Sequence, residues 1–385
     1  MPDVSFVFTN PRHHLEMMLP VARDLTRRGV SCQLVSLAEL RGLDSPRGLD
    51  IPLRRVIPYN LRGSPSLGSS TAHSSGSPSR LRAGLRRLAS SVLVPATARL
   101  VRGSRVAVIP NDWVFPYNGL LASLSERVRF IVMQEGIRLA TPNGDAYGTG
   151  PLVALCAWGD GSAEFFRQRG VAPEIIRVTG APRLDTLEPT EWRARGEALL
   201  ARLGLRHAPI AYLSNPIEIQ GYGTAAGRLQ IFEKFLAEAE PWLRKRSSAV
   251  IVKNHQHEDA AEFRAVASRS TARDLVHVIP DVPLFEALSA CSAAVVLTST
   301  VGLEALMFGK PIAALEIPDH GFGFEYVESK TAIGLRAGSI AAGLSELIDG
   351  AEQRSEYGRQ FLERHLHDRG RATAHVADVI SQQLR

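Results

Sequence analysis

Cysteine is scarce in this chain: Cys32, Cys156 and Cys291 are the only 3 in 385 residues, too few and too scattered for a disulfide framework or a metal cluster. Each stands in apolar surroundings and reads as a core thiol. No run of about 18 apolar residues occurs, so no transmembrane helix is expected. The opening residues form a strand at once and lack the basic start and long apolar core of a signal peptide, which points to a cytoplasmic protein. A formal charge of +6, from 45 Lys+Arg against 39 Asp+Glu, favours anionic partners. No recognition motif accompanies it, so nucleic acid is not an expected partner. Neither a solenoid-period repeat nor a Gly-x-Gly-x-x-Gly turn after the first strand is present.

What remains is an apolar content of 45%, enough for sizeable cores, in a chain long enough for two or three domains. Strands and helices alternate. The first half reads strand 4–8, helix 15–28, strand 32–36, strand 106–109, helix 117–125 and strand 130–132. The second reads helix 192–203, strand 210–213, helix 228–244, strand 249–252, strand 276–279, helix 284–290, strand 293–297 and strand 312–315. Helices near 337–349 and 355–384 close the chain. Such alternation implies two parallel sheets with right-handed crossovers, joined near 186–190, whose strand carboxyl ends face a cleft. The expected domains are 1–187, completed by a terminal helix over 360–385, and 188–359.

Residues 63–79, rich in Ser, Gly and Pro, read as a mobile loop. After it, Leu81, Leu85, Leu88 and Val92 recur at helical spacing among Arg80, Arg82, Arg86 and Arg87. One reading is a crossover helix with its apolar stripe on the sheet. The other is a flap over 80–102 that makes peripheral contact with anionic lipid or docks an acidic acceptor.

The most informative stretch runs from Ala293 to Pro311. A buried strand leads into Thr298-Ser299-Thr300 at a helix start, and Gly309-Lys310-Pro311 ends that helix. Free amides, hydroxyls and the positive end of the helix dipole suit a diphosphate. Glu304, one turn on, is placed to accept hydrogen bonds from a ribose diol. An ordinary helix cap would choose Ser or Thr as well.

Three more clusters stand at strand ends. Glu135, in Gln134-Glu135-Gly136-Ile137-Arg138, suits a general base for an acceptor hydroxyl, or is an exposed carboxylate paired with Arg138. Lys253 and His255 share a side of an extended loop, so both can meet one phosphate: Lys253 neutralises leaving-group charge and His255 donates a hydrogen bond or proton. A zinc site at His255 and His257 lacks a third ligand. The turn after the first strand offers His13, His14 and Glu16 to acceptor or sugar. Asp112 and Asn215 hold equivalent strand-end positions, Asp112 also being suited to capping a helix.

Together, Cys156-Ala157-Trp158-Gly159, Arg169-Gly170-Val171, the run Val178 to Asp185, the Lys253/His255 pair and the Ser299-to-Pro311 segment resemble bacterial GT-B glycosyltransferases of capsule and surface-polysaccharide type. These are kin to non-hydrolysing UDP-N-acetylglucosamine 2-epimerases and glycerophosphate polymerases. Sialyl- and Kdo-transferase-like members carry an acidic-acidic-Gly base motif, a Lys-x-His-Pro motif and a paired Ser/Thr motif. Here Glu135-Gly136 matches the first with Gln134 for an acid, Lys253-x-His255 the second with Gln256 for Pro, and Ser299-Thr300 the third unchanged. The resemblance implies Glu135 as base, His255 as phosphate partner and Ser299/Thr300 as phosphate cradle.

Glu135-Gly136-Ile137-Arg138 is also similar to the Glu-Ala-Gly-Leu-Arg segment of the epimerases. Their second domain opens with a His-Arg pair where this chain has Ser214-Asn215-Pro216, which favours transfer over epimerisation or hydrolysis. The expectation is therefore an α/β protein of two Rossmann-like doubly wound domains. It is a metal-independent, inverting glycosyltransferase without cofactor, using a UDP-, CMP/CDP- or dTDP-linked sugar and a glycan, lipid-linked or small-molecule acceptor. The nucleotide base is expected near Ile279, within 278–282.

Overall fold

Strands buried along both faces fit only a parallel sheet covered by helices, and the computed structural model contains two such sheets. The structure describes residues 1–57, 80–137 and 147–385, with side chains for all of these except 80–90. The expected 63–79 loop, Arg138, and the side chains of Leu81, Leu85 and Leu88 with their arginines lie outside what is described. Among the described residues, 1–187 together with Arg364–Arg385 form one unit, and Glu188–Glu363 form the other.

The first unit alternates β1 (Val4–Phe8), α1 (His13–Arg27), β2 (Cys32–Ser36), β3 (Leu53–Arg55), α2 (Arg80–Val101), β4 (Val106–Ile109) and α3 (Tyr117–Leu124). It continues with β5 (Arg129–Met133), β6 (Ala154–Ala157), α4 (Asp160–Gln168) and β7 (Ile176–Val178). Its seven strands take the order β3-β2-β1-β4-β5-β6-β7, all parallel.

The second unit begins with α5 (Arg193–Leu203), β8 (Ile210–Leu213), α6 (Ala225–Lys245), β9 (Val250–Lys253), α7 (Ala260–Arg269), β10 (Val276–Val278) and α8 (Leu284–Ala290). There follow β11 (Ala293–Val296), α9 (Val301–Met307), β12 (Ile312–Leu315), β13 (Ala332–Leu335), α10 (Ile340–Asp349) and α11 (Ala351–His365). The order β10-β9-β8-β11-β12-β13 repeats the reversal of direction at the first strand that marks a doubly wound sheet. In each unit the carboxyl ends flanking that reversal, β1 and β4 or β8 and β11, carry the polar residues discussed below.

The last helix, α12 (Ala372–Gln383), belongs to the first unit, and the short motifs around 156–185 are its dock. Asp185 accepts backbone hydrogen bonds from Gly370 (3.2 Å), Ala372 (3.0 Å) and Thr373 (2.6 Å), capping the helix start. The His367 amide donates to the Trp158 carbonyl at 2.8 Å. A Cβ on Gly159 would fall 2.5 Å from the Arg364 carbonyl, and one on Gly180 2.5 Å from that of His367. These glycines admit the returning backbone at close range. The single closing helix expected over 355–384 is thus two, α11 and α12, parted by the turn that makes this dock.

Helix α2 buries Val94, Thr97 and Val101 and leaves Val92 61% exposed. Val92 therefore stays outside the core, which this part of the helix meets through Val94, Thr97 and Val101, and Gln33 reaches the Leu100 carbonyl at 2.9 Å. All three cysteines are buried and free. Burial pushes their thiols up, Cys32 to about 11 and Cys156 and Cys291 to about 12, so they are inert core groups. Among the described residues no helix is long and apolar enough to cross a membrane.

Gly180 has φ of +86° as well as the His367 carbonyl against it. Gly180→Ala is expected to lower stability by about 2 kcal/mol or more, measured by urea unfolding. A cost no larger than that of Gly170→Ala, where φ is +83° but the space is open, would refute the docking role.

Candidate functional site

In the first unit three neighbouring strand ends converge on one carboxylate. After β1, Asn10 Oδ1 accepts the amides of Arg12 (3.0 Å) and His13 (3.1 Å), starting α1. His14, in the first turn of that helix, folds its ring back so that Nδ1 accepts the amides of Thr9 and Asn10, each at 3.3 Å. A nitrogen that accepts bears no proton, so the neutral ring carries its hydrogen on Nε2. Nε2 donates to Glu135 Oε2 at 3.0 Å. After β4, Asn111 Oδ1 takes the amides of Trp113 (3.0 Å) and Val114 (3.1 Å), while its Nδ2 donates to Glu135 Oε1 at 3.2 Å. Glu135, just past β5, is thereby oriented from two sides.

His13 Nε2 lies 2.5 Å from the Glu135 carbonyl, which can only accept. Burial, then Arg183 and His14, push His13 down to about 3, so it is a neutral donor that fixes the backbone of Glu135. Asp112 has both oxygens on backbone amides, Gly148 at 2.8 Å and Gly150 at 2.7 Å. It therefore shapes the loop before β6 and does not cap α3.

Gln134 explains the departure from a paired-acid motif. Nearly fully buried at 1% exposure, it donates to the Gly136 carbonyl (2.7 Å) and the Ser162 hydroxyl (2.8 Å), and accepts the Trp158 amide (2.8 Å). A carboxylate there would face a carbonyl with nothing to donate.

The second unit builds its cluster on a buried ion pair that the sequence reading overlooked. Arg228 (2% exposed) and Glu258 (0%) stand 3.1 Å apart, with Glu218 and Glu262 also beside the guanidinium at 3.3 and 3.7 Å. Glu258 accepts the Ser214 hydroxyl at 2.9 Å and the His255 amide at 2.6 Å. Burial raises its carboxyl above the usual range. The only sequence signal was the acid five positions beyond Lys253. His255 Nδ1 accepts the His257 amide at 3.2 Å, which leaves the proton on Nε2. Burial, with His257 and Lys253 nearby, pushes His255 down to about 4. Lys253 is also lowered by burial, and its Nζ donates to the Pro280 carbonyl at 2.6 Å. The amide of Ile279 is tied to the Val252 carbonyl at 3.0 Å.

Between β8 and β11, Asn215 clamps Thr298. Its Nδ2 donates to the Thr298 carbonyl (3.2 Å) and hydroxyl (3.1 Å), and its Oδ1 accepts the Thr298 amide (3.3 Å). Ser299 Oγ accepts the Val301 amide at 3.3 Å, starting α9, and Thr300 is the cap residue. With 7 residues α9 carries only a small dipole. Glu304 is 3% exposed; its charge, after burial itself, raises the nearby Tyr326 phenol, whose hydroxyl donates to the Ser299 carbonyl at 3.0 Å.

The strand orders and these strand-end clusters give the architecture. The fold is GT-B. A family model described as "Capsule polysaccharide biosynthesis protein" matches residues 218–320, a segment that holds Lys253, His255, Ser299, Thr300 and Glu304. The S. aureus MnaA–UDP co-structure is similar at 14% identity and TM-score 0.67, covering 100% of this chain and 97% of that one. The Neisseria meningitidis UDP-GlcNAc 2-epimerase bound to UDP-GlcNAc is similar at 14% identity and TM-score 0.64, covering 98% and 99%. The wall teichoic acid polymerase TagF matches at 12% identity and TM-score 0.56, covering 100% and 89%. No curated protein matches the sequence. The resemblance to GT-B proteins of the surface-polysaccharide type holds.

Gln134→Glu should cost about 3 kcal/mol in urea unfolding; an unchanged midpoint would contradict the network. His13 and His255 titrate in the native state far below the 6.5 of an unfolded histidine, so from pH 6.5 downward the unfolded chain binds protons the native chain refuses. Stability should fall with pH through this window, to about pH 4 for His255, by up to about 1.4 kcal/mol per pH unit per histidine. His255→Gln should flatten the slope of unfolding free energy against pH, and an identical slope would show that His255 is not held neutral.

Proposed function

We propose that this chain is a metal-independent, inverting glycosyltransferase. It moves a sugar from a nucleotide donor to an acceptor hydroxyl or amine in the synthesis of a surface polysaccharide or glycoconjugate. The observation that carries the reading is Glu135, a carboxylate oriented by a histidine of fixed tautomer and an asparagine, the arrangement a general base needs. The nucleotide belongs to the second unit, with its phosphates at Lys253, His255, Ser299 and Thr300, its ribose at Glu304 and its base near Ile279. Three free, buried cysteines fit a reducing, cytoplasmic setting.

In the proposed step the acceptor oxygen or nitrogen gives its proton to Glu135 and forms a bond to the anomeric carbon. The bond from that carbon to the phosphate oxygen breaks on the opposite face, and its electron pair leaves with the nucleotide. Displacement in one step inverts the configuration. His255 Nε2–H and the Lys253 ammonium meet the charge that develops on the leaving oxygen. Ser214 and Asn215, tied to Glu258 and Thr298, supply no acid or base for epimerisation, which favours transfer.

The test is turnover of UDP-, CMP-, CDP- and dTDP-linked sugars by the full-length protein with and without an acceptor mixture, in EDTA. Acceptor-dependent release of nucleotide is expected, lowered by about 10²–10⁴-fold in Glu135→Gln with nucleotide affinity retained. Epimerisation or donor loss without acceptor would overturn the proposal, as would strict dependence on a divalent cation or transfer of glycerol phosphate from a CDP-linked donor. Because His255 is held near pH 4 without ligand, a phosphate beside it should raise its basicity. Nucleotide binding near pH 6 is therefore expected to take up protons, seen as calorimetric heats that vary with buffer ionisation; buffer-independent heats would remove His255 from the phosphate site.

A further inference from the structure

The turn that docks α12 carries chemistry the transfer reaction does not use. His367, Asp368 and His375 each present a ligand atom within 4.8 Å of the other two. His375 Nε2 is 2.7 Å from Asp368 Oδ2, and the His367 and His375 rings lie 5.7 Å apart, inclined at 45°. The backbone beneath them is fixed: His367 by the Trp158 carbonyl, and the first turn of α12 by Asp185. All three side chains reach solvent, so an ion has a way in.

We propose that His367, Asp368 and His375 form a binding site for a divalent cation of borderline softness, Zn²⁺ or Ni²⁺. Two imidazoles and one carboxylate are a donor set that such ions prefer over Mg²⁺ or Ca²⁺. Tetrahedral bonds of about 2.0–2.1 Å put donors about 3.3 Å apart, so the widest pair, at most 4.8 Å apart, closes by up to about 1.5 Å while the His375–Asp368 pair, at 2.7 Å, opens by about 0.6 Å, both within reach of side-chain rotation. His375 Nε2 already meets Asp368 Oδ2 at 2.7 Å, so the carboxylate needs only to exchange that contact for the metal. Arg371 Nη1, 3.7 Å from Asp368 Oδ2, competes for the same oxygen and must turn toward solvent. The ion would tie the turn to α12 and is a structural clasp on the returning chain, separate from the chemistry at Glu135.

Metal-free full-length protein is titrated calorimetrically with ZnCl₂, and with CoCl₂ for visible absorption. One equivalent should bind, raise the unfolding temperature and give the ligand-field bands of a bound cobalt. His367→Ala and His375→Ala should each weaken binding by about tenfold or more, and Asp368→Asn, which keeps the shape of the turn, should do likewise. Without metal, loss of these exposed contacts should leave their unfolding temperatures within a few degrees of the parent protein. Absence of saturable binding would overturn the proposal, as would binding that survives His375→Ala and Asp368→Asn but is lost in His257→Ala.

Discussion

Parallel pairing constrains everything else in this molecule. The central strands are buried on both faces, so they accept almost nothing but apolar side chains, and polar residues are displaced to the loops just past the carboxyl ends. At the reversal of strand order two such loops part to opposite faces of the sheet, leaving room for groups to converge. Glu135 with His14 and Asn111 marks that point in one unit, and Ser214, Asn215 and Thr298 mark it in the other.

Both clusters are preorganised by groups that never need to touch a ligand. His14 is held in one tautomer by two amides, His13 is kept neutral by burial, and Gln134 braces Glu135 from behind through Trp158. In the second unit the pair Arg228–Glu258 does the comparable work: a buried carboxylate anchors the His255 amide and the Ser214 hydroxyl at once. A lone buried Glu258 would be costly, and Arg228 offsets that cost at the carboxylate that holds the His255 amide.

Much of this was legible in the sequence. Runs such as Val106–Ile109, Ile210–Leu213 and Ile312–Leu315 have the length and flanking turns of buried strands, and the structure keeps their bounds. Glu135, Lys253, His255 and Ser299 were visible because each follows such a run directly. Other features depend on contacts between distant segments, which local pattern does not encode. Glu258 gains its role from Arg228, thirty residues earlier, and Asn215 from Thr298. Gly159, Gly180 and Asp185 read as family signature; only the return of residues 364–385 shows that they are a docking surface. Val92 is exposed because helical spacing says which residues share a face, not which face is covered.

The proposed function rests on a nucleotide being held by the second unit through the loop after β9 and the start of α9. Its most direct measurement is the calorimetric affinity of UDP and CDP for the parent protein, Lys253→Met and Ser299→Ala. Saturable binding of at least one of them is expected, weakened about tenfold or more by Lys253→Met and to a lesser degree by Ser299→Ala. Affinity unchanged in both variants, or no binding by the parent protein, would contradict it.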